Sequence, residues 1–188
     1  PYARGRARSR YFADLLREAE TLVAAGHKEL VLTGVNLGTY RGSLHPGAKG
    51  DAPEKRLLDV IDALEAVAGL QRIRISSIEP TTIPKELFER MNPCSKLCRY
   101  LHVPLQSGSD PILKAMKRRY RVREFCELIE RADRMVPEIC LGTDVIVGFP
   151  GETDQDFDET YTILRDLPLA YFHVFSYSKR QLAQSRHL

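Results

Sequence analysis

No stretch of this 188-residue chain is apolar for long enough to cross a membrane, and its opening residues lack the hydrophobic run of a secretory leader. Neither a membrane span nor export is expected, so the expected location is cytoplasmic. A strong net charge is also missing. The 28 Lys and Arg residues outnumber the 25 Asp and Glu by only three, too mild an excess to name a partner by itself. Cysteine is sparse. Without a secretory context, Cys94, Cys98, Cys126 and Cys140 do not amount to a disulfide framework. Cys94 and Cys98 have C-x-x-x-C spacing, but no third cysteine follows within a few residues, and Cys126 falls inside an amphipathic helical pattern. All four read as structural thiols, and no metal ligand is assigned.

What is present is one repeated pattern. Leu141 to Thr153, LGTDVIVGFPGET, runs from a buried-strand pattern through a Gly-Pro-Gly turn to a helix start, with Thr153 and Asp156 in capping-box places. Further strands are expected at 29–35, 72–76, 100–105 and 170–176. Helices are expected from Ser9 to Ala25 with Gly26 as the stop, around Leu57, Ile61, Leu64 and Ala68, and from Pro84 to Met91. Three more follow: Asp110 to Met116 with Asp110 as N-cap, a longer one carrying Phe125, Ile129 and Ala132, and one carrying Phe157, Tyr161 and Leu164. Gly42 to Pro53 reads as a loop. Strict alternation of strand and helix implies parallel strands and an α/β fold, either an open doubly wound sheet or part of a barrel.

In such folds ligands bind where the strands end. Those ends bring Thr33 to Asn36, Ser76 to Pro80, Pro104 to Gly108, Thr143-Asp144 with Gly148 to Gly151, and Ser176 to Ser178. Glu79 and Asp144 offer carboxylates and Gln106 an amide, while Gly34, Gly108 and Gly148 let a ligand approach the backbone. Arg118 can reach a carboxylate in bidentate fashion. This chemistry suits a ligand with a ribose, an ammonium and a carboxylate. Asp144 in an apolar run requires a partner. His102 and His173 read as satisfied core histidines. Two basic clusters stand out: Arg4, Arg6, Arg8 and Arg10, and the stretch from Lys114 to Arg123, which holds no acid. Both suit phosphates, although a solvated face is the commoner reason for such runs.

The segments PYARGRARSR, VLTGVNLGTY, RISSIEP, YLHVPLQSGSDPILKAMKRRY, LGTDVIVGFPGET and FHVFSYSKR together resemble the radical S-adenosylmethionine (SAM) methylthiotransferases, in the family's order and over nearly the whole chain. TGVNLGTY and SKR are most similar to the branch acting on threonylcarbamoyl-adenosine in tRNA. Sister branches act on isopentenyl-adenosine in tRNA or on a ribosomal-protein aspartate. The resemblance implies a partial (β/α)6 barrel. It implies that Glu79 holds the SAM ribose, and that Gln106 and Arg118 support the ribose and methionine, with Arg118 on the carboxylate. Asp144 would contact the ribose or its neighbours, and Gly34 to Asn36 the amino group. Arg4, Arg6 and Arg8 would meet tRNA near the cluster mouth. The implied enzyme adds a methylthio group to carbon 2 of the modified adenine beside the anticodon. Its cofactors are SAM and [4Fe–4S] clusters, and a flavodoxin or ferredoxin supplies electrons.

One departure stands out. The family's C-x-x-x-C-x-x-C cluster loop does not occur in the sequence. Residues 1–188 are therefore expected to be an incomplete radical SAM core, barrel strands two to six, without the N-terminal methylthiotransferase and C-terminal TRAM domains, and inactive in isolation. The alternative expectation is a cluster-free α/β module that binds a nucleotide or RNA.

Overall fold

In a computed structural model, the protein is described for residues 7–43, 54–91 and 95–179. The described elements run α1 (Phe12–Ala24), β1 (Glu29–Leu32), α2 (Leu57–Glu65), β2 (Arg72–Ile75), α3 (Leu87–Arg90), β3 (Tyr100–His102), α4 (Asp110–Ala115), α5 (Val122–Met135), β4 (Cys140–Val147), α6 (Asp154–Asp166) and β5 (Tyr171–Ser176). Short 3-10 turns occupy Leu37–Thr39 and Pro80–Thr82. All strand pairs are parallel, as the alternation requires. They form two sheets, β1-β2 and β3-β4-β5. The chain divides into two compact units. One holds the residues up to Ser76 together with Pro84–Cys98, and the other holds Ser77–Ile83 and the residues from Arg99 onward. No described helix is long and apolar enough to cross a membrane.

In the first unit, α1 stops at the expected glycine. Gly26 has φ +100°, and the amides of Gly26 and His27 return to Val23 and Leu22, the Schellman closure that glycine accepts without a Cβ penalty. Leu57, Val60, Ile61 and Leu64 line the buried side of α2. The Arg56 amide donates to Asp59 at 2.7 Å, satisfying one open end of that helix. The Glu65 carboxylate accepts from the Lys96 and Leu97 amides and so fixes the chain entering the Leu97 bridge to Ile73. Two expectations need correction. β1 ends at Leu32 rather than Val35, because its partner β2 ends at Ile75 and the last ladder bond is Ser76 N–H to the Leu32 carbonyl. Val35 is left 79% exposed. The helix expected over Pro84–Met91 is a single turn, α3.

In the second unit, Phe125, Ile129 and Ala132 make a buried stripe at helical spacing on α5. β3 covers three residues rather than six. Pro104 has no N–H for the ladder, and the Leu105 amide donates instead to Thr143 Oγ1, which itself donates to the Val103 carbonyl. Ser109, whose hydroxyl makes no capping bond, holds the N-cap position of α4, one residue before the expected Asp110, whose carboxylate accepts from the Val122 amide at the start of α5. α6 begins at Thr153 with the anticipated capping box: Asp156 N–H donates to Thr153 Oγ1, and Thr153 N–H to the Asp156 carboxylate.

The expected apolar stripe of α6 is not its packed face. Phe157 and Tyr161 are exposed, and Thr160 is buried. What faces the core is polar. The Gly108 amide donates to Thr160 Oγ1 at 2.8 Å, and Ser109 Oγ donates to the Asp156 carboxylate. The Ser109 hydroxyl first, and then the Thr153 hydroxyl and amide, hold the Asp156 carboxyl below its usual range. A depressed carboxyl stabilises the fold above its unfolded pKa and ceases to do so as pH falls through the lowered value. Asp156→Asn is therefore expected to lower the melting temperature at neutral pH, with the gap to the native chain closing as pH falls through and below the ordinary carboxylate range. A gap that stayed constant through that window in thermal melts would contradict this linkage.

Candidate functional site

Two clusters of polar side chains lie in the second unit. The first joins the loop after β3 to the turn after α4. Gln106 is nine-tenths buried and has φ +71°. Its amide donates to the Asp144 carbonyl, and its own carbonyl accepts from the Ile146 amide, so β4 fixes the residue from both sides. Arg118 is placed by a second Schellman closure. Lys117 takes φ +59°, and the Lys117 and Arg118 amides return to Lys114 and Leu113. A lysine there accepts the strain that glycine would avoid. The turn aims the guanidinium at Glu79, with Nη1 to Oε1 at 3.1 Å. Glu79 belongs to the Ser77–Ile83 segment, which is tied in by the Ile78 amide donating to the His102 carbonyl. Tyr120 completes the scaffold. Its hydroxyl donates to the Pro104 and Leu105 carbonyls, and burial pushes its pKa upward. Glu79, Gln106 and Arg118, chosen from the sequence, thus all sit in fixed backbone settings.

The second cluster lies on one face of the three-stranded sheet. Register brings His102 beside Gly142, Gly142 beside Tyr171, and Asp144 beside His173. Asp144 is in the middle of β4, not at the strand end where the sequence placed it. The need for a partner is met twice. Its Oδ2 lies 3.0 Å from His102 Nε2, and its Oδ1 lies 3.1 Å from His173 Nδ1. His102 Nδ1 also shares a hydrogen bond with the Tyr171 hydroxyl at 3.0 Å, which in turn contacts the Tyr100 hydroxyl. Burial and the Tyr100 hydroxyl raise the Tyr171 pKa. Gly142 makes this possible, because a Cβ there would stand 2.1 Å from Tyr171 Cζ. His102 is a satisfied buried histidine, as expected. His173 is not: its side chain is 58% exposed, because β5 is an edge strand with one neighbour.

Other expectations fall elsewhere. Gly34 and Asn36 belong to the first unit. A Cβ at Gly34 would meet Leu37 Cδ2 at 3.1 Å, and the Asn36 carbonyl accepts from Thr39 Oγ1. Gly108 does not receive a ligand, because Thr160 Cα would be 2.5 Å from a Cβ there. Gly148 does face open space, with φ +73°. Arg4 and Arg6 lie outside the described residues, as does Cys94, while Arg8 is exposed. Lys114, Lys117, Arg119, Arg121 and Arg123 are exposed, although Arg123 is paired with Glu127. An open groove of 760 Å³ runs past Gly108, Asp110, Gln155, Asp158 and Glu159, away from both clusters. The signal for the second cluster was present in the sequence: Tyr171, His173 and Phe175 alternate onto one strand face.

The family model for the radical SAM superfamily matches residues 1–164. The chain belongs to the radical SAM superfamily. Among curated relatives, it is 41% identical over 180 residues to the threonylcarbamoyladenosine tRNA methylthiotransferase MtaB of Bacillus subtilis, covering 96% of this chain and 38% of that one. It is 38% identical over 182 residues to the tRNA-2-methylthio-N(6)-dimethylallyladenosine synthase of Alkaliphilus oremlandii, covering 96% and 37%. The chain thus spans less than two-fifths of the length of these relatives. Its fold resembles the radical SAM enzyme coproporphyrinogen III oxidase of Escherichia coli, with TM-score 0.58 at 15% identity over 90% of this chain and 38% of that one. It also resembles Elp3 of Methanocaldococcus infernus, with TM-score 0.54 at 13% identity over 94% and 44%. These likenesses, with the parallel strands, support the partial-barrel α/β fold.

The donor set tests which cofactors fit. A carboxylate and a guanidinium held at 3.1 Å suit the hydroxyls and carboxylate of SAM. The thiols do not suit an iron–sulfur cluster, which takes deprotonated cysteines in a close set. Burial raises the pKa of both Cys98 and Cys126, and no group of three thiols is gathered among the described residues.

Proposed function

We propose that this chain is the SAM-binding core, barrel strands two to six, of an enzyme that adds a methylthio group to carbon 2 of threonylcarbamoyl-adenosine beside the tRNA anticodon. The observation that carries the cofactor reading is the Glu79–Arg118 pair at 3.1 Å. Glu79 would accept from ribose hydroxyls, Arg118 would bind the methionine carboxylate, and Gln106 would orient the ligand between them. Asp144 is left out of this set, because imidazoles already engage both of its oxygens. SAM supplies the radical and methyl chemistry when bound. The protein supplies orientation and exclusion of water.

The name of the Bacillus relative supports the threonylcarbamoyl branch, and the Alkaliphilus relative keeps the sister branch on dimethylallyl-adenosine as the second reading. The exposed cations of 114–123 are the surface proposed for tRNA phosphates, with the basic segment of Arg4, Arg6 and Arg8 as a second proposed contact. Calorimetric titration tests the cofactor reading. SAM is expected to bind weakly at one site and to lose most of its affinity in Glu79→Gln. Equal affinity in the two proteins would overturn the assignment of Glu79. Turnover of SAM by these 188 residues alone is not expected, and observing it would refute the reading of the chain as a core without cluster ligands.

A further inference from the structure

We propose that His102, Asp144 and His173 bind one divalent transition-metal ion, with zinc or cobalt as the fitting class. The proposal goes beyond the SAM reading and uses none of the residues assigned there. Each residue offers one ligand atom, and all three atoms lie within 4.8 Å of one another. Ligands held roughly 2.0–2.2 Å from a tetrahedral ion stand about 3.3 Å apart. The two imidazoles face different oxygens of the carboxylate, His102 Nε2 at 3.0 Å from Oδ2 and His173 Nδ1 at 3.1 Å from Oδ1. Closing the set around one ion requires the widest pair to draw in from within 4.8 Å, a movement available to the exposed His173 ring. Two imidazoles and one carboxylate favour zinc, cobalt or nickel over magnesium and calcium, which take oxygen ligands.

The surroundings are those a metal-binding histidine requires. His102 presents Nε2 to the cluster, while its Nδ1 is held by the Tyr171 hydroxyl, backed by Tyr100. Such an outer partner sets the tautomer and orientation of the ring. Gly142 admits the Tyr171 ring, so Asp144 of β4 and Tyr171 and His173 of β5 converge on the His102 imidazole. His102 and His173 stack with ring centroids 5.6 Å apart and face the same carboxylate. In the ion-free chain each imidazole turns a nitrogen toward Asp144, and those nitrogens are the ones offered to the ion. The exposure of His173 leaves the fourth position open to solvent for water or an exchangeable ligand.

Cobalt is the probe. The chelator-treated 188-residue chain is titrated with Co²⁺ by visible absorption, and then with Zn²⁺ in competition. One equivalent is expected to saturate the site, and zinc to displace the cobalt. His173→Ala, an exposed edge-strand change, is expected to weaken binding by at least about 100-fold, beyond the 10–100-fold that loss of an outer partner costs. Tyr171→Phe, which removes such an outer partner, is expected to weaken it by roughly 10-fold. A Cys94→Ser, Cys98→Ser double variant is expected to bind as the native chain does. No saturable binding, full affinity in His173→Ala, or loss of binding only in the cysteine variant would each overturn the proposal. SAM affinity measured in His173→Ala separates the two readings, because Glu79, Gln106 and Arg118 remain intact there.

Discussion

Gly108→Val is expected to destabilise the protein by about 2–3 kcal/mol, the upper range for forcing extra atoms into a packed position. A Cβ at Gly108 would lie 2.5 Å from Thr160 Cα and 3.0 Å from Thr160 N. Both are backbone atoms, so no side-chain rotation relieves the clash and α6 must move. That movement breaks the two bonds that tie the loop to the helix, Gly108 N–H to Thr160 Oγ1 and Ser109 Oγ to the Asp156 carboxylate. In a chain of this size the melting temperature is expected to fall by roughly 4–12 °C. Gly108→Ala should show most of the effect, because the first carbon already collides. A melting temperature unchanged in Gly108→Ala would mean that the contact between loop and helix is not held this tightly.

Arg118→Ala is expected to lower SAM affinity by about 10- to 100-fold, since a hydrogen bond to a charged group contributes roughly 1.5–3 kcal/mol. Arg118→Lys should recover only part of this, because an ammonium keeps the charge but not the paired geometry. The effect on stability is expected to be small. Arg118 and Glu79 are each about a third exposed, and screened pairs of this kind contribute about 1 kcal/mol or less. Calorimetry with SAM and a thermal melt on the same sample separate the two. A large loss of stability with unchanged SAM affinity would make Arg118 a structural residue and remove it from the proposed site.

Much of the fold was legible because its signals are local. Gly26 closes α1, Thr153 and Asp156 open α6, and apolar residues at helical spacing mark the buried stripe of α5. The errors came where a neighbour decided. Pro104 and the Thr143 hydroxyl shortened β3, and the end of β2 shortened β1. Phe157 and Tyr161 resembled a core stripe, yet α6 packs through Gly108, Ser109, Asp156 and Thr160, small and polar groups that periodicity does not weigh. For the site, Glu79, Gln106 and Arg118 were selected from strand-end position and family motif. The sequence also showed that Asp144 needed a partner, but not which one.

The sequence by itself determined the α/β alternation, the end of α1 at Gly26, the capping box of α6 and the superfamily, because these depend on spacing within short segments. Tertiary structure alone decided that His102 and His173 converge on Asp144. Strand register places residues 29 and 42 positions apart side by side, and a single-residue shift would turn either histidine to the opposite face. It also decided that Gly108 makes room for a helix and Gly142 for a tyrosine ring. A glycine's purpose depends on what packs against it, and that partner lies far away in the chain.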